Sequence, residues 1–186
     1  MLDNNRHTNP GSLAEGLSWF VLRITHPREL TVKRMLDERG VRTFVPIISR
    51  IRRVGERIYS QHVPAVTSIC FVLWTRDKIE SFIRNIGDKM TVQYYCEPTG
   101  APIIVPEKTM RDFMTIASSM DEELIYLTEI SPKFQESQSV KVKSGSLAGV
   151  EGKLVRIRKS RRILVEVAGM LAIASSFVKP EDVEAI

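Results

Sequence analysis

Along the first two thirds of the chain, apolar positions switch repeatedly between strand-like and helix-like spacing. Trp19–Ile24 is an apolar, aromatic-led run bounded by His26 and Pro27, which predicts a buried first strand. From Arg28 to Arg39 the apolar residues Leu30, Val32, Met35 and Leu36 recur at roughly helical spacing, and Gly40 stands where a C-terminal cap belongs. Val41–Val45 predicts a short strand, punctuated by Pro46. Ile47–Val63 sets Ile47, Ile51 and Ile58 among basic residues, with a turn near Val54 and Gly55. That is the pattern of an extended hairpin projecting from the body. Ala65–Trp74 is apolar on both parities, so it is expected as a central strand covered on both faces.

Helical spacing returns at Asp77, where Ile79, Phe82, Ile83 and Ile86 form an amphipathic stripe closed by Gly87. Thr91–Cys96 reads as a strand and Pro98–Pro102 as a turn. Pro106 near the first turn opens a third helix whose buried face is Met110, Phe113, Met114 and Ala117. Residues 120–136 show little periodicity and read as a linker. Beyond them short alternating strands follow one another: Ser139–Lys143, Gly152–Ile157, Arg162–Val167 and Met170–Ala174. Four or five short strands in about 50 residues protect their edges most economically by closing into a small barrel. The pattern therefore predicts residues 1–17 as a flexible tail, 18–118 as an α+β domain with helices covering a sheet, 119–136 as a linker and 137–186 as a small all-β domain.

Charge sharpens this picture. The 186 residues carry 27 Lys or Arg against 22 Asp or Glu, a net charge of +5. Nine of the basic residues face only five acidic ones after residue 139. Two clusters stand out: Arg50, Arg52, Arg53 and Arg57 on the predicted hairpin, and Lys153, Arg156, Arg158, Lys159, Arg161 and Arg162 in the C-terminal part. Such patches suit nucleic acid or an acidic protein surface. A solvated hairpin tip is the competing reading of each.

Other classes find little support. The longest apolar run, Ile69–Trp74, is far shorter than the ~20 residues of a membrane-spanning helix. The polar first residues lack a secretory apolar stretch, so a cytoplasmic location is expected. Cys70 and Cys96, the two cysteines, fall in strand-like segments and read as buried reduced thiols. His7, His26 and His62 have no metal-ligand spacing, no phosphate-loop motif is present, and the acidic run Asp121–Glu123 reads as solvated. No catalytic residues, metal or cofactor are expected, and the chain is not expected to be an enzyme.

Two stretches carry a family resemblance. Val140–Val155, with Gly145, Gly149 and Gly152, resembles the KOW motif, in which a strand, a glycine turn and a second strand belong to an SH3-like barrel. The preceding domain resembles the NusG N-terminal domain in order and length of elements, from the tryptophan strand to the central strand. With Val105–Phe113 and the stretch Arg161–Ala174, the chain looks most like the UpxY-type specialised paralogues of NusG. One departure is local: where the family commonly shows a Phe-Pro-Gly-Tyr-like entry to the central strand, this chain has Thr67 and Ser68 in place of the proline–glycine pair.

The resemblance implies a transcription elongation and antitermination factor, acting without catalysis on a particular operon such as one for capsular polysaccharide. It implies that RNA polymerase clamp helices bind an apolar face of the first domain, and by the family's strand positions that face includes Trp19, Phe44, Val66, Ser68 and Cys70. It implies that Arg50, Arg52, Arg53 and Arg57 touch nascent RNA or non-template DNA. In the KOW domain it implies a partner surface at Arg156, Arg158, Lys159, Arg161 and Arg162, reaching ribosomal protein, termination factor or RNA. A monomer without membrane contact is expected. A general NusG-like factor and a ribosome- or RNA-binding KOW protein are the alternatives.

Overall fold

The computed structural model describes residues 16–25, 27–86, 90–119 and 121–186. Most of the expected N-terminal tail, with His7, His26 and the Gly87 expected to close the second helix, lies outside them. The N-terminal part is built on strand β1 (Ser18–Ile24), which pairs antiparallel along its length with β5 (Ile69–Trp74). β2 (Arg42–Phe44) lies on the far side of β5, while β6 (Val92–Tyr94) and β7 (Ile104–Val105) share the other edge of β1. Because β1 and β5 are apolar at every parity, the sheet needs cover on both faces. Phe20, Leu22, Ile24, Cys70 and Val72 pack against Val32 and Leu36 of helix α1 (Glu29–Asp37) and against Ile79, Phe82 and Ile86 of α2 (Arg76–Ile86). Trp19, Val21, Ile69, Phe71 and Leu73 point the other way, towards Met110, Phe113 and Ile116 of α3 (Glu107–Ser118).

The central strand is shorter than its hydrophobicity predicts. Residues 65–68 bend instead of pairing, and Ser68 has φ +65°. Its amide donates to Oε1 of the buried Glu29 at 2.5 Å, and its carbonyl accepts from Ile24 at 3.0 Å. A buried carboxylate thus ties the start of α1 to the entry of β5. At the other end of α1, Asp37 accepts from Lys33 at 2.7 Å and from Thr43 at 2.5 Å, joining helix to β2. Burial works to raise the Asp37 pKa, but these hydrogen bonds outweigh it and hold the carboxyl below its ordinary value.

The C-terminal part is a six-stranded antiparallel sheet. Its strands are β8 (Ile125–Leu127), β9 (Ser139–Val142), β10 (Glu151–Ile157), β11 (Ser160–Val167), β12 (Leu171–Ala174) and β13 (Val183–Ala185), in the order β13-β9-β10-β11-β12-β8. Two of these strands went unseen in the sequence. β13 is a three-residue strip pairing Val183 with Val142, and β8 lies in the stretch read as linker, where it pairs Tyr126 with Ile173. A one-turn helix, α4 (Pro132–Gln135), follows β8, and Phe134 packs beneath Val155 and Leu164. A three-residue strand has almost no sequence signature of its own; its partner supplies the hydrogen bonds that define it.

The two parts are packed together through α3. Phe113 and Ile116 lie in one continuous apolar cluster with Val165, Val167, Leu171 and Ile173. At its edge Lys108 bridges Asp112 at 2.5 Å and Glu151 at 3.5 Å, and donates to the Gly149 carbonyl at 3.1 Å. Asp112 in turn accepts from the Glu151 amide at 3.3 Å.

Candidate functional site

Strands β3 (Ile47–Val54) and β4 (Arg57–Pro64) form a two-stranded ribbon of their own, joined by Gly55 and Glu56. Its register runs from Ile47 opposite Pro64 to Val54 opposite Arg57. The sheet of β1 and β5 does not extend into it, and Arg50, Arg52, Arg53 and Arg57 are all exposed. Among the described residues none of these four side chains has a hydrogen bond or ion pair within the chain. Parity divides them. Arg50, Arg52 and Arg57 share one face with Tyr59 and Gln61, while Arg53 stands on the other with Ile51 and Ile58.

The residues implied as polymerase anchors do not form one surface. Trp19, Phe44 and Val66 belong to the face shared with Phe71 and α3, where the Arg42 guanidinium sits 5.6 Å from the Trp19 ring centre. Trp19 is only 1% exposed. Cys70 lies on the opposite face, fully buried against the side covered by α1 and α2. Alternation along β5 makes this unavoidable, because Cys70 differs in parity from its neighbours Ile69 and Phe71. Burial pushes the Cys70 thiol up to about 12, whereas Cys96, expected from the sequence to be buried as well, is exposed beyond the end of β6. A thiol reagent at pH 8 is therefore expected to label one cysteine of the folded protein, Cys96, and to reach Cys70 only after denaturant is added. Rapid labelling of both would place Cys70 at an accessible surface.

Ser68 is half-buried at the bend, with the left-handed backbone that suits glycine. Ser68→Gly is expected to raise stability by about 0.5–1 kcal/mol in a urea titration, the relief of the left-handed strain less the extra freedom glycine gives the unfolded chain. A loss of stability would mean that the serine side chain supports the bend.

In the C-terminal part, Gly145 and Gly149 have φ +80° and +86°. At Gly152 the reason for glycine is contact: a Cβ there would lie 2.5 Å from the Leu164 carbonyl oxygen, so β10 and β11 could not approach as they do. The hairpin between β10 and β11 turns on Arg158 and Lys159, both at positive φ (51° and 68°), with Arg156 opposite Arg161 just below. Two consecutive non-glycine residues in this region carry strain. Lys153 donates to Ser139 at 3.0 Å at the other end of β10.

Arg162 has a different place from its basic neighbours. It is 5% exposed, and its Nη1 donates to the carbonyls of Glu123 and Ser175, each at 2.7 Å. Its Nη2 lies 3.5 Å from the Glu123 carboxylate. As a surface contact for a partner it is corrected to a structural clamp, holding residues 121–125 against the sheet. Beside it Asp121 is held below the usual carboxylate range by the Glu123 amide and by Ser176. No helix among the described residues is long and apolar enough to cross a membrane. Nor could any group of three or more His, Cys, Asp or Glu among them hold a metal ion.

A mixed α/β sheet domain thus carries an exposed cationic ribbon and is packed through one helix against a second antiparallel sheet with a basic turn. Residues 17–114 match the family model described as transcription termination factor nusG, and the chain belongs to the NusG family. Members of this family are transcription elongation and antitermination factors and typically bind RNA polymerase. Among solved structures, one titled for domain interaction in Thermotoga maritima NusG is similar at 18% identity, with 91% of this chain and 97% of that chain covered and a TM-score of 0.44. No curated protein matches the chain.

Proposed function

We propose that the chain is a specialised, UpxY-type elongation factor that binds RNA polymerase through residues 18–118 and promotes readthrough of terminators in one operon, such as a capsular polysaccharide operon. The observation that supports this most directly is that the NusG match spans the β1/β5 sheet, the ribbon and most of α3 together. In this reading the clamp helices of polymerase take the face of Trp19, Phe44 and Val66, which an amphipathic helix would need as apolar anchors. Those anchors share a cluster with α3 and the C-terminal sheet, so polymerase entry requires that shared packing over the β1/β5 face to open. The short connection between Ser118 and the segment that Arg162 holds then acts as the tether. Residues 137–186 serve as an SH3-like KOW barrel whose turn, Arg156, Arg158, Lys159 and Arg161, meets a second partner such as ribosomal protein, termination factor or RNA. No bond is made or broken in any step.

The test is transcription by purified cognate polymerase across a terminator-bearing leader from the protein's own genomic neighbourhood and across an unrelated leader. Greater readthrough on the first alone supports specialised antitermination. Equal readthrough on both would establish a general factor in its place. The strained basic turn favours one second reading, a KOW protein bound to ribosomal RNA. Copurification with ribosomal RNA and no polymerase subunits would select it.

A further inference from the structure

We propose that one face of the β3–β4 ribbon is a binding strip for single-stranded nucleic acid, with Tyr59 as the residue on which a base stacks. The proposal rests on the reading of the ribbon as the nucleic-acid-contacting part of the first domain and sharpens it, because the register separates the four arginines into unequal sets. From base to tip, one face presents Arg50 beside Gln61, then Arg52 beside Tyr59, then Arg57 at the turn. The other presents Ser49 beside His62, Ile51 beside Ser60, and Arg53 beside Ile58.

The first face has the chemistry of a strand tracker. Successive same-face residues on a strand are about 7 Å apart, a spacing close to that of phosphates along an extended nucleic-acid strand. Three guanidiniums at successive levels can each take one phosphate. Tyr59 is 48% exposed and stands directly across from Arg52 in the register, so its ring is open to a stacking partner beside a cation. Neither strand contains an acidic residue; Glu56 lies in the turn. A ring flanked by cations fits an unpaired base, which exposes its π-face, and fits a duplex poorly, because paired bases hide theirs in the stack. The second face lacks this pattern. Ile51 and Ile58 are 80% and 68% exposed and have no affinity for phosphate, and Arg53 stands alone between them.

The experiment uses the full chain and fluorescein-labelled 12-mers of dT, of rU and of a mixed-sequence duplex, with anisotropy followed over a salt series. Single strands are expected to bind more tightly than duplex, and whichever of dT or rU binds better identifies the source of the strand. Tyr59→Ala is expected to lose about tenfold or more in affinity, with Tyr59→Phe within about twofold of the parent. Arg52→Ala should lower the slope of log affinity against log salt by about 0.7, the value for one phosphate on a single strand, and Arg53→Ala should leave the slope unchanged. These side chains are exposed, so the variants should melt as the parent does. Duplex preference, or equal effects of Arg52→Ala and Arg53→Ala, would overturn the strip while leaving the ribbon a nucleic-acid contact. No binding to any of the three oligonucleotides would remove both.

Discussion

Replacing Arg162 by alanine is expected to cost about 2–4 kcal/mol of stability, although the sequence presents it as one of six basic residues in a surface cluster. The guanidinium is buried and donates to two carbonyls that have different owners, Glu123 in the segment before β8 and Ser175 just after β12. Removing it leaves the carbonyl of the fully buried Ser175 and that of Glu123 without their donor, and takes from the largely exposed Glu123 carboxylate its nearby cation. For a chain of this length each kcal/mol moves the melting temperature by about 2–4 °C, so the expected drop is on the order of 10 °C. Arg161→Ala is the control. Its side chain is partly exposed and without a hydrogen bond among the described residues, so it should stay within about 0.5 kcal/mol of the parent. Arg162→Lys should recover little, because one ammonium cannot reproduce a planar fork aimed at two carbonyls. Equal losses at 161 and 162, read by thermal melts followed by circular dichroism, would return Arg162 to the surface.

That contrast shows where sequence reasoning reached and where it stopped. The strands β1 and β5 were legible because an apolar residue at every parity has only one good explanation, cover on both faces. Helices α1, α2 and α3 were legible because Val32 with Leu36, Ile79 with Phe82 and Ile86, and Met110 with Phe113 repeat at helical spacing. The ribbon was legible from isoleucines set among arginines around Gly55. Charge composition, by contrast, is blind to direction. Arg161 and Arg162 are neighbours in sequence, yet one side chain reaches solvent and the other does not. A signal was available: Arg162 leads directly into Ile163–Val165, which is apolar on both parities, so the position beside that run was due for cover too. The same parity argument separates Cys70 from Phe71 and Trp19, since β1 and β5 place Trp19 opposite Leu73. The strand β8 had no such signal. Ile125–Leu127 becomes a strand only because Ala172–Ala174, some 45 residues later, offers it a free edge, and no local pattern encodes a partner that distant.

The second large effect is expected at Phe113, where α3 meets both sheets. Its ring is fully buried, with centroids 5.5 Å from Phe71, 6.1 Å from Phe44 and 6.5 Å from Tyr126. The first two rings belong to the N-terminal sheet and the third to β8 of the C-terminal one, so a single side chain is packed by both. Phe113→Ala removes the transfer energy of a buried ring and leaves a cavity that three aromatic neighbours cannot collapse into without leaving their rotamers. The expected loss is about 3–5 kcal/mol in a urea titration. Because both tryptophans, Trp19 and Trp74, lie in the N-terminal part, their fluorescence follows that sheet, while far-ultraviolet circular dichroism follows both. In the parent the two probes should give one midpoint, as a shared core requires. In Phe113→Ala both midpoints should fall, and they should separate as the helix loses its hold on one sheet or the other. Midpoints that fall together by less than about 1 kcal/mol would mean that the sheets are stable without the aromatic bridge, and that α3 touches both without joining them.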